Sequence, residues 1–266
     1  MTGPRRVVCL TEETTETLYL LGEQDRIVGI SAFTVRPREV KQDKPVVAQF
    51  IKANIEKIVA LNPDLVLGFS DLQAEICADL ISQGLDVYCF NQRSIGDIIE
   101  MIRTLSRLVG CPAKGDTLAD GLEHNVDRAR AAAEKLPAKP RVYFEEWPDP
   151  IITGIRWVSE IIEAAGGEDC FPEMRDFRLA KERIVTSDTV LERKPDLYLA
   201  SWCGRKFRRD TARARPGFAV APFTHDDRMV AIPSSIILQP GPACLTEGLW
   251  AVQDEIARVA EDLVRT

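Results

Sequence analysis

The side chains of this chain that can do chemistry gather where short apolar runs give way to loops. Phe33, Phe50, Phe69, Trp147 and Trp202 all stand at such places. Flat aromatic faces on strand-end loops suit a wide, mostly apolar ligand, although each ring taken alone could be an ordinary core aromatic. Glu145-Glu146-Trp147-Pro148-Asp149-Pro150 reads as a loop that sets three carboxylates beside an indole. It suits ligand amides or a cation, or else it is a solvated acidic loop stiffened by proline. Residues 205–215 carry six basic side chains, beginning with Arg205. They offer charge-assisted hydrogen bonds to an anionic ligand, or form an exposed charged helix or loop.

Metal and catalytic chemistry find little footing. The two histidines, His124 and His225, are far apart, and no C-x-x-C or H-E-x-x-H spacing occurs. His225-Asp226-Asp227 is short and loop-like. Dinucleotide-binding, Walker and G-x-S-x-G signatures are absent. The expectation is a chain that is not an enzyme, with no catalytic residues, no metal ligands and no cofactor of its own.

The elements that must position these residues are organised around residues 55–70. There a short helix ends at Asn62-Pro63-Asp64 and an apolar run, Leu65-Val66-Leu67, leads to Phe69. Proline lacks the N–H and biases its predecessor away from helix, so the turn is well marked. Such a run suits a strand buried on both faces. The pattern returns at 187–202: Val190-Leu191 answers Ile58-Val59, 132 residues on, and Pro195-Asp196-Leu197 answers Pro63-Asp64-Leu65. Two copies at this separation point to two similar α/β lobes; two unrelated units sharing a common turn are the alternative. In open α/β sheets ligands sit beyond the carboxyl ends of the strands, which selects Phe69 and Trp202.

Strand and helix signals alternate on both sides of a long amphipathic helix at 113–136, whose Leu118, Leu122, Val126, Ala129, Ala133 and Leu136 keep one stripe. The expected organisation is an N-terminal lobe over 1–112, the helix over 113–136 and a C-terminal lobe over 137–266. The fold class is thus α/β, with two Rossmann-like lobes joined by one long helix. A net charge of −7 among 266 residues argues against nucleic acid as a partner. No apolar run is long enough to span a bilayer. The apolar run after Arg5-Arg6 is only four residues, and the seven cysteines form no regular framework. Together these predict a cytoplasmic chain, or a periplasmic one if a leader has been removed.

Several motifs taken together carry a resemblance over nearly the whole chain. They are T-E-E-T-T-E-T-L, I-V-G-I-S-A-F-T-V-R-P, N-I-E-K-I-V-A-L-N-P-D-L-V and the P-G-P before the last helix. The chain resembles the class III periplasmic binding proteins, whose lobes are joined by a backbone helix, and among them the cobalamin-binding members that serve ABC importers. The resemblance implies a corrinoid clasped in a cleft between the lobes, with little hinge motion and a monomeric protein. It matches Phe33, Phe50 and Phe69 to ligand-facing aromatic positions. It matches Glu75 to a glutamate that pairs with permease arginines. There are two departures. The second-lobe docking glutamate falls near apolar Leu238, and an aromatic ahead of it is replaced in Ser235-Ile236-Ile237. The residues expected to meet ligand are Phe33, Phe50, Phe69, Glu145, Glu146, Trp147, Trp202 and Arg205, with Glu75 for the permease. Siderophore and haem receptors share the frame and are one alternative. A cytoplasmic cofactor-handling protein or enzyme unconnected with transport is the other.

Overall fold

The computed structural model describes residues 3–265. It contains two compact units. The first is Met1–Gln92, Gly96–Glu123 and Pro240–Pro242; the second is Arg93–Ile95, His124–Gln239 and Ala243–Thr266. Each is an α/β lobe, as the alternating pattern leads one to expect.

The first lobe holds β1 (Val7–Cys9), β2 (Ile27–Ser31), β3 (Val46–Gln49), β4 (Lys52–Ala53), β5 (Leu65–Phe69) and β6 (Val87–Phe90). Their order across the sheet is β4-β3-β2-β1-β5-β6. All neighbours are parallel except β3 and β4. Every residue of β5 is buried, which is why its sequence is an unbroken apolar run rather than an alternating one. The second lobe holds β7 (Arg141–Pro148), β8 (Ile151–Thr153), β9 (Glu168–Asp169), β10 (Leu197–Ala200) and β11 (Met229–Ala231). The order is β11-β10-β7-β8, with β9 beside the start of β7.

The sequence repeat corresponds to a repeated core of three parallel strands, β1-β5-β6 and β7-β10-β11. Leu65, Val66 and Leu67 stand opposite Val7, Val8 and Cys9. Leu197, Tyr198 and Leu199 stand opposite Val142, Tyr143 and Phe144. The lobes differ on the other flank, where β1 meets parallel β2 but β7 meets antiparallel β8. This corrects one expectation. Residues 145–148 are strand, not loop, because Glu145, Trp147 and Pro148 pair with Thr153, Ile152 and Ile151 across a turn at Asp149-Pro150.

The Pro-Asp turn does the same work in both lobes. Helix Ile55–Ala60 is capped by Asn54, whose side chain accepts from the N–H of Lys57, and helix Ser187–Glu192 is capped likewise by Thr186. Asn62 (φ 44°) and Lys194 (φ 49°), each just before the proline, are left-handed and turn the chain out of helix. The next aspartate then grips the first strand of its lobe. Asp64 accepts from the N–H groups of Arg5 and Arg6, both at 2.8 Å, and donates its own N–H to the Arg6 carbonyl at 2.9 Å. Asp196 accepts from Arg141 N–H at 2.7 Å and donates back to the Arg141 carbonyl at 2.7 Å.

The long helix is Pro112–Ala133, with proline at the first position, where its missing N–H costs nothing. Ala119, Leu122, Val126 and Ala129 form its buried stripe. The division between the two units falls within it, after Glu123. Asp196→Ala should destabilise the protein by about 1–2 kcal/mol, the worth of a charge-assisted hydrogen bond at a half-buried site. Urea unfolding measures this, and an unchanged midpoint would show that the clasp contributes nothing.

Candidate functional site

In the first lobe the loops after β1, β2, β3 and β5 leave the same edge of the sheet, because those strands are parallel. One buried side chain ties three of them. Gln73 is fully buried; its Oε1 accepts from Phe69 N–H at 2.9 Å, and its Nε2 donates to the carbonyls of Phe50 at 2.7 Å and Leu10 at 3.5 Å. This fixes the aromatics the sequence singled out. Phe50 is half-buried and Phe69 buried, with ring centroids 6.4 Å apart, while Phe33 stands 53% exposed on the loop after β2. Ser70, at φ 63°, turns the chain sharply after β5 and accepts from Leu72 N–H. Glu75 is exposed in the first turn of helix Ala74–Ser82.

Helix Glu12–Leu20 begins at this edge with three buried glutamates. Glu12 accepts from Val35 N–H at 3.0 Å, Glu13 from the Thr11 hydroxyl at 2.6 Å, and Glu16 pairs with Arg36 at 2.9 Å. Pro240-Gly241-Pro242 lies over Glu13. A Cβ on Gly241 would stand 2.5 Å from Glu13 Cβ, so only glycine fits there. Burial pushes both Glu12 and Glu13 up to about 7, against hydrogen bonds that favour the charged form.

In the second lobe the paired glutamates at the end of β7 are both taken up internally. Glu145 has no exposed surface, and Arg215 grips it with Nη1 to Oε2 at 2.5 Å and Nη2 to Oε1 at 2.9 Å. The Tyr143 hydroxyl donates to Oε2 at 2.5 Å and the Trp202 indole N–H to Oε1 at 2.8 Å. Arg215 also donates to the Pro148 carbonyl at 2.9 Å. Glu145 therefore has no oxygen left to meet a ligand; it holds Trp202 and the β7–β8 turn in place. Glu146 is half-buried and accepts from Arg183 at 2.7 Å, and Arg183 also donates to the Thr153 carbonyl.

The other residues singled out from this lobe divide into buried and exposed. Trp202 is 5% exposed and meets Phe207 edge-on at 5.0 Å. Trp147 is half-buried, bonded through its N–H to the Asp149 carbonyl, and the guanidinium of Arg205 lies 4.6 Å from its ring centroid. The basic segment is partly spent on structure. Arg209 donates to the Met229 carbonyl, and Arg213 to the Thr224 carbonyl and Asp226. Arg205, Lys206 and Arg208 are exposed. Among the described residues no group of three metal-donor side chains comes together. Gln73 and Arg183 escaped sequence reading, and Arg215 stood there only as one of six basic side chains, since a glutamine or arginine carries no sign of the distant carbonyl or carboxylate it will meet.

Two outcomes follow. Glu145→Gln leaves Arg215 charged in the interior and should cost about 3 kcal/mol. Replacing both partners with Leu and Met should cost much less, and equal losses would refute the pairing. For Glu12 and Glu13 the folded pKa lies above the unfolded value of 4.5. The folded state therefore binds more protons between those values, so stability falls as pH rises from about 4.5 through 7. Thermal melts between pH 5 and 8 should show that decline, and Glu13→Gln should flatten it.

Comparison with known proteins adds the lineage. Residues 7–236 match the family described as Periplasmic binding protein. A cobalamin-binding protein of Halobacterium salinarum is 32% identical over 196 residues, covering 70% of this chain and 52% of its own length. The match thus spans about half of that relative. A vitamin B12-binding protein of Vibrio vulnificus is 29% identical over 199 residues, 74% of this chain and 71% of its own. Among solved structures, a periplasmic heme-binding protein from Roseiflexus sp. RS-1 superposes with a TM-score of 0.81 at 24% identity, covering 96% of this chain and all of the other. The periplasmic vitamin B12 binding protein of Vibrio cholerae gives 0.77 at 22%, covering 97% and 98%. At these identities the structures speak for the fold, which is that of two α/β lobes with helical connections. The cytoplasmic placement expected from the N-terminal residues and the cysteines is overturned, because the matched family is periplasmic. This chain belongs to the periplasmic binding protein family.

Proposed function

We propose that the chain is the substrate-binding component of an ABC-type importer for a wide, largely apolar metal chelate, cobalamin or a related corrinoid first. The observation that carries this is the apolar character of the first lobe's carboxyl edge. Phe33, Val35, Ile51 and Leu72 are all exposed there, on loops following β2, β3 and β5. Exposed apolar residues grouped on one edge mark a surface meant to be covered. A corrin offers a broad apolar disc with amide arms, which suits Phe33 and Phe50. Relatives named for cobalamin or vitamin B12 support the choice of ligand.

A second reading keeps the frame and changes the ligand to haem or a ferric siderophore. Exposed Arg205, Lys206 and Arg208 favour it, since they would meet carboxylates that cobalamin lacks. Under either reading Glu75 is the permease contact, an exposed carboxylate on a helix, suited to pairing with arginine.

Titration with cobalamin, cobinamide, haemin and a ferric hydroxamate, followed by absorbance and tryptophan quenching, separates the readings. Saturable corrinoid binding, weakened about tenfold by Phe33→Ala, is expected. Haemin binding alone, lost when Arg205, Lys206 and Arg208 are neutralised, would establish the second reading instead. Absence of binding to all four would defeat both. Glu75→Arg should abolish uptake while leaving binding intact; normal uptake would remove the docking role.

A further inference from the structure

Cys77 and Cys89 lie together in the first lobe, beside the end of β5. Cys77 is buried on helix Ala74–Ser82, and Cys89 is exposed on β6. Gly68 on β5 stands opposite Cys89 in the ladder. A Cβ built on Gly68 would be 3.2 Å from Cys77 Sγ and 3.7 Å from Cys89 Sγ, so both sulfurs occupy the space its missing side chain leaves. Cys89 donates to the Ser70 carbonyl at 3.5 Å, at the strand end that carries Phe69.

From this juxtaposition we infer that Cys77 and Cys89 are a disulfide-forming pair, closed in the oxidising periplasm and open in the structure seen here. The bond would tie the helix that presents Glu75 to β6, holding that helix against the sheet. Glycine at position 68 leaves room for the pair, since a Cβ there would press on Cys77 Sγ at 3.2 Å. The chemistry is thiol–disulfide exchange with a small disulfide such as oxidised glutathione. The Cys89 thiolate attacks one glutathione sulfur and displaces a glutathione thiolate. The Cys77 thiolate then attacks Cys89 Sγ and releases the second glutathione. One disulfide is reduced, one is formed, and the two thiol protons end on the two glutathiones. Burial, then the neighbouring Cys77, pushes the Cys89 thiol up to about 12, so the exchange is slow at neutral pH and quicker in mild alkali.

The test is unusually clean, because there is no lysine or arginine between Lys57 and Arg93 and that stretch contains only these two cysteines. The purified protein is incubated with oxidised glutathione at mildly alkaline pH, alkylated under denaturing conditions and digested with trypsin. The peptide 58–93 should arrive unalkylated and two mass units lighter than its dithiol, and should take two alkyl groups after reduction. Cys77→Ser should instead leave Cys89 as a stable glutathione adduct. Two alkylated cysteines in the wild-type peptide, or a lasting glutathione adduct on wild-type Cys89, would overturn the inference. The oxidised protein should also melt several degrees above the Cys89→Ser variant treated alike, and identical melting would deny the bond a structural effect.

Discussion

A carboxylate without solvent must be paired, and Glu145 is the clearest case in this chain. It sits at the end of β7 with no exposed surface, held by both guanidinium nitrogens of Arg215, the Tyr143 hydroxyl and the Trp202 indole. Desolvating such a pair is expensive, and attraction alone does not make it a good source of stability. What the arrangement supplies is position. Arg215 comes from the end of the basic segment, Trp202 from just after β10 and Tyr143 from β7 itself, so one charge fixes three pieces of backbone where the lobe's loops begin.

The first lobe meets the same requirement without charge. Gln73 donates to two loop carbonyls and accepts from the last residue of β5, so a neutral amide gathers the ends of β1, β3 and β5. The two lobes share a three-strand core and a Pro-Asp clasp, yet solve the problem of their carboxyl edges with different chemistry. In both, the anchor is internal to the lobe. A binding surface held this way spends little of its binding energy on ordering loops.

What could be read from sequence follows from what is local. The Pro-Asp turns, the buried runs Leu65-Val66-Leu67 and Leu197-Tyr198-Leu199 and the long amphipathic helix all rest on neighbouring residues, and from them the two α/β lobes emerged. The fate of single polar side chains was not local. Glu145 looked like a ligand contact because Arg215, far along the chain, gives no sign of where it will fold. The basic segment likewise looked uniform until the Met229 and Thr224 carbonyls and Asp226 claimed Arg209 and Arg213. Strand β7 ran on through what looked like a loop because its hairpin partner, β8, is only three residues long. Compartment also went the wrong way, since a short N-terminal run and scattered cysteines are weak evidence set against a family match over residues 7–236.

The most direct measurement of the central idea, that each lobe's edge is pre-formed by its own polar anchor, is amide hydrogen exchange on the ligand-free protein. Phe69 N–H, bonded to Gln73, and Ser201 N–H, bonded to the Glu145 carbonyl at 2.9 Å, are the reporters. If the edges are pre-formed, both amides exchange slowly without ligand, and Gln73→Ala speeds Phe69 alone while Glu145→Gln speeds Ser201 alone. Fast exchange of both in the wild type, with protection arising only when a corrinoid or haemin is added, would mean that the ligand builds the edges and would contradict the idea.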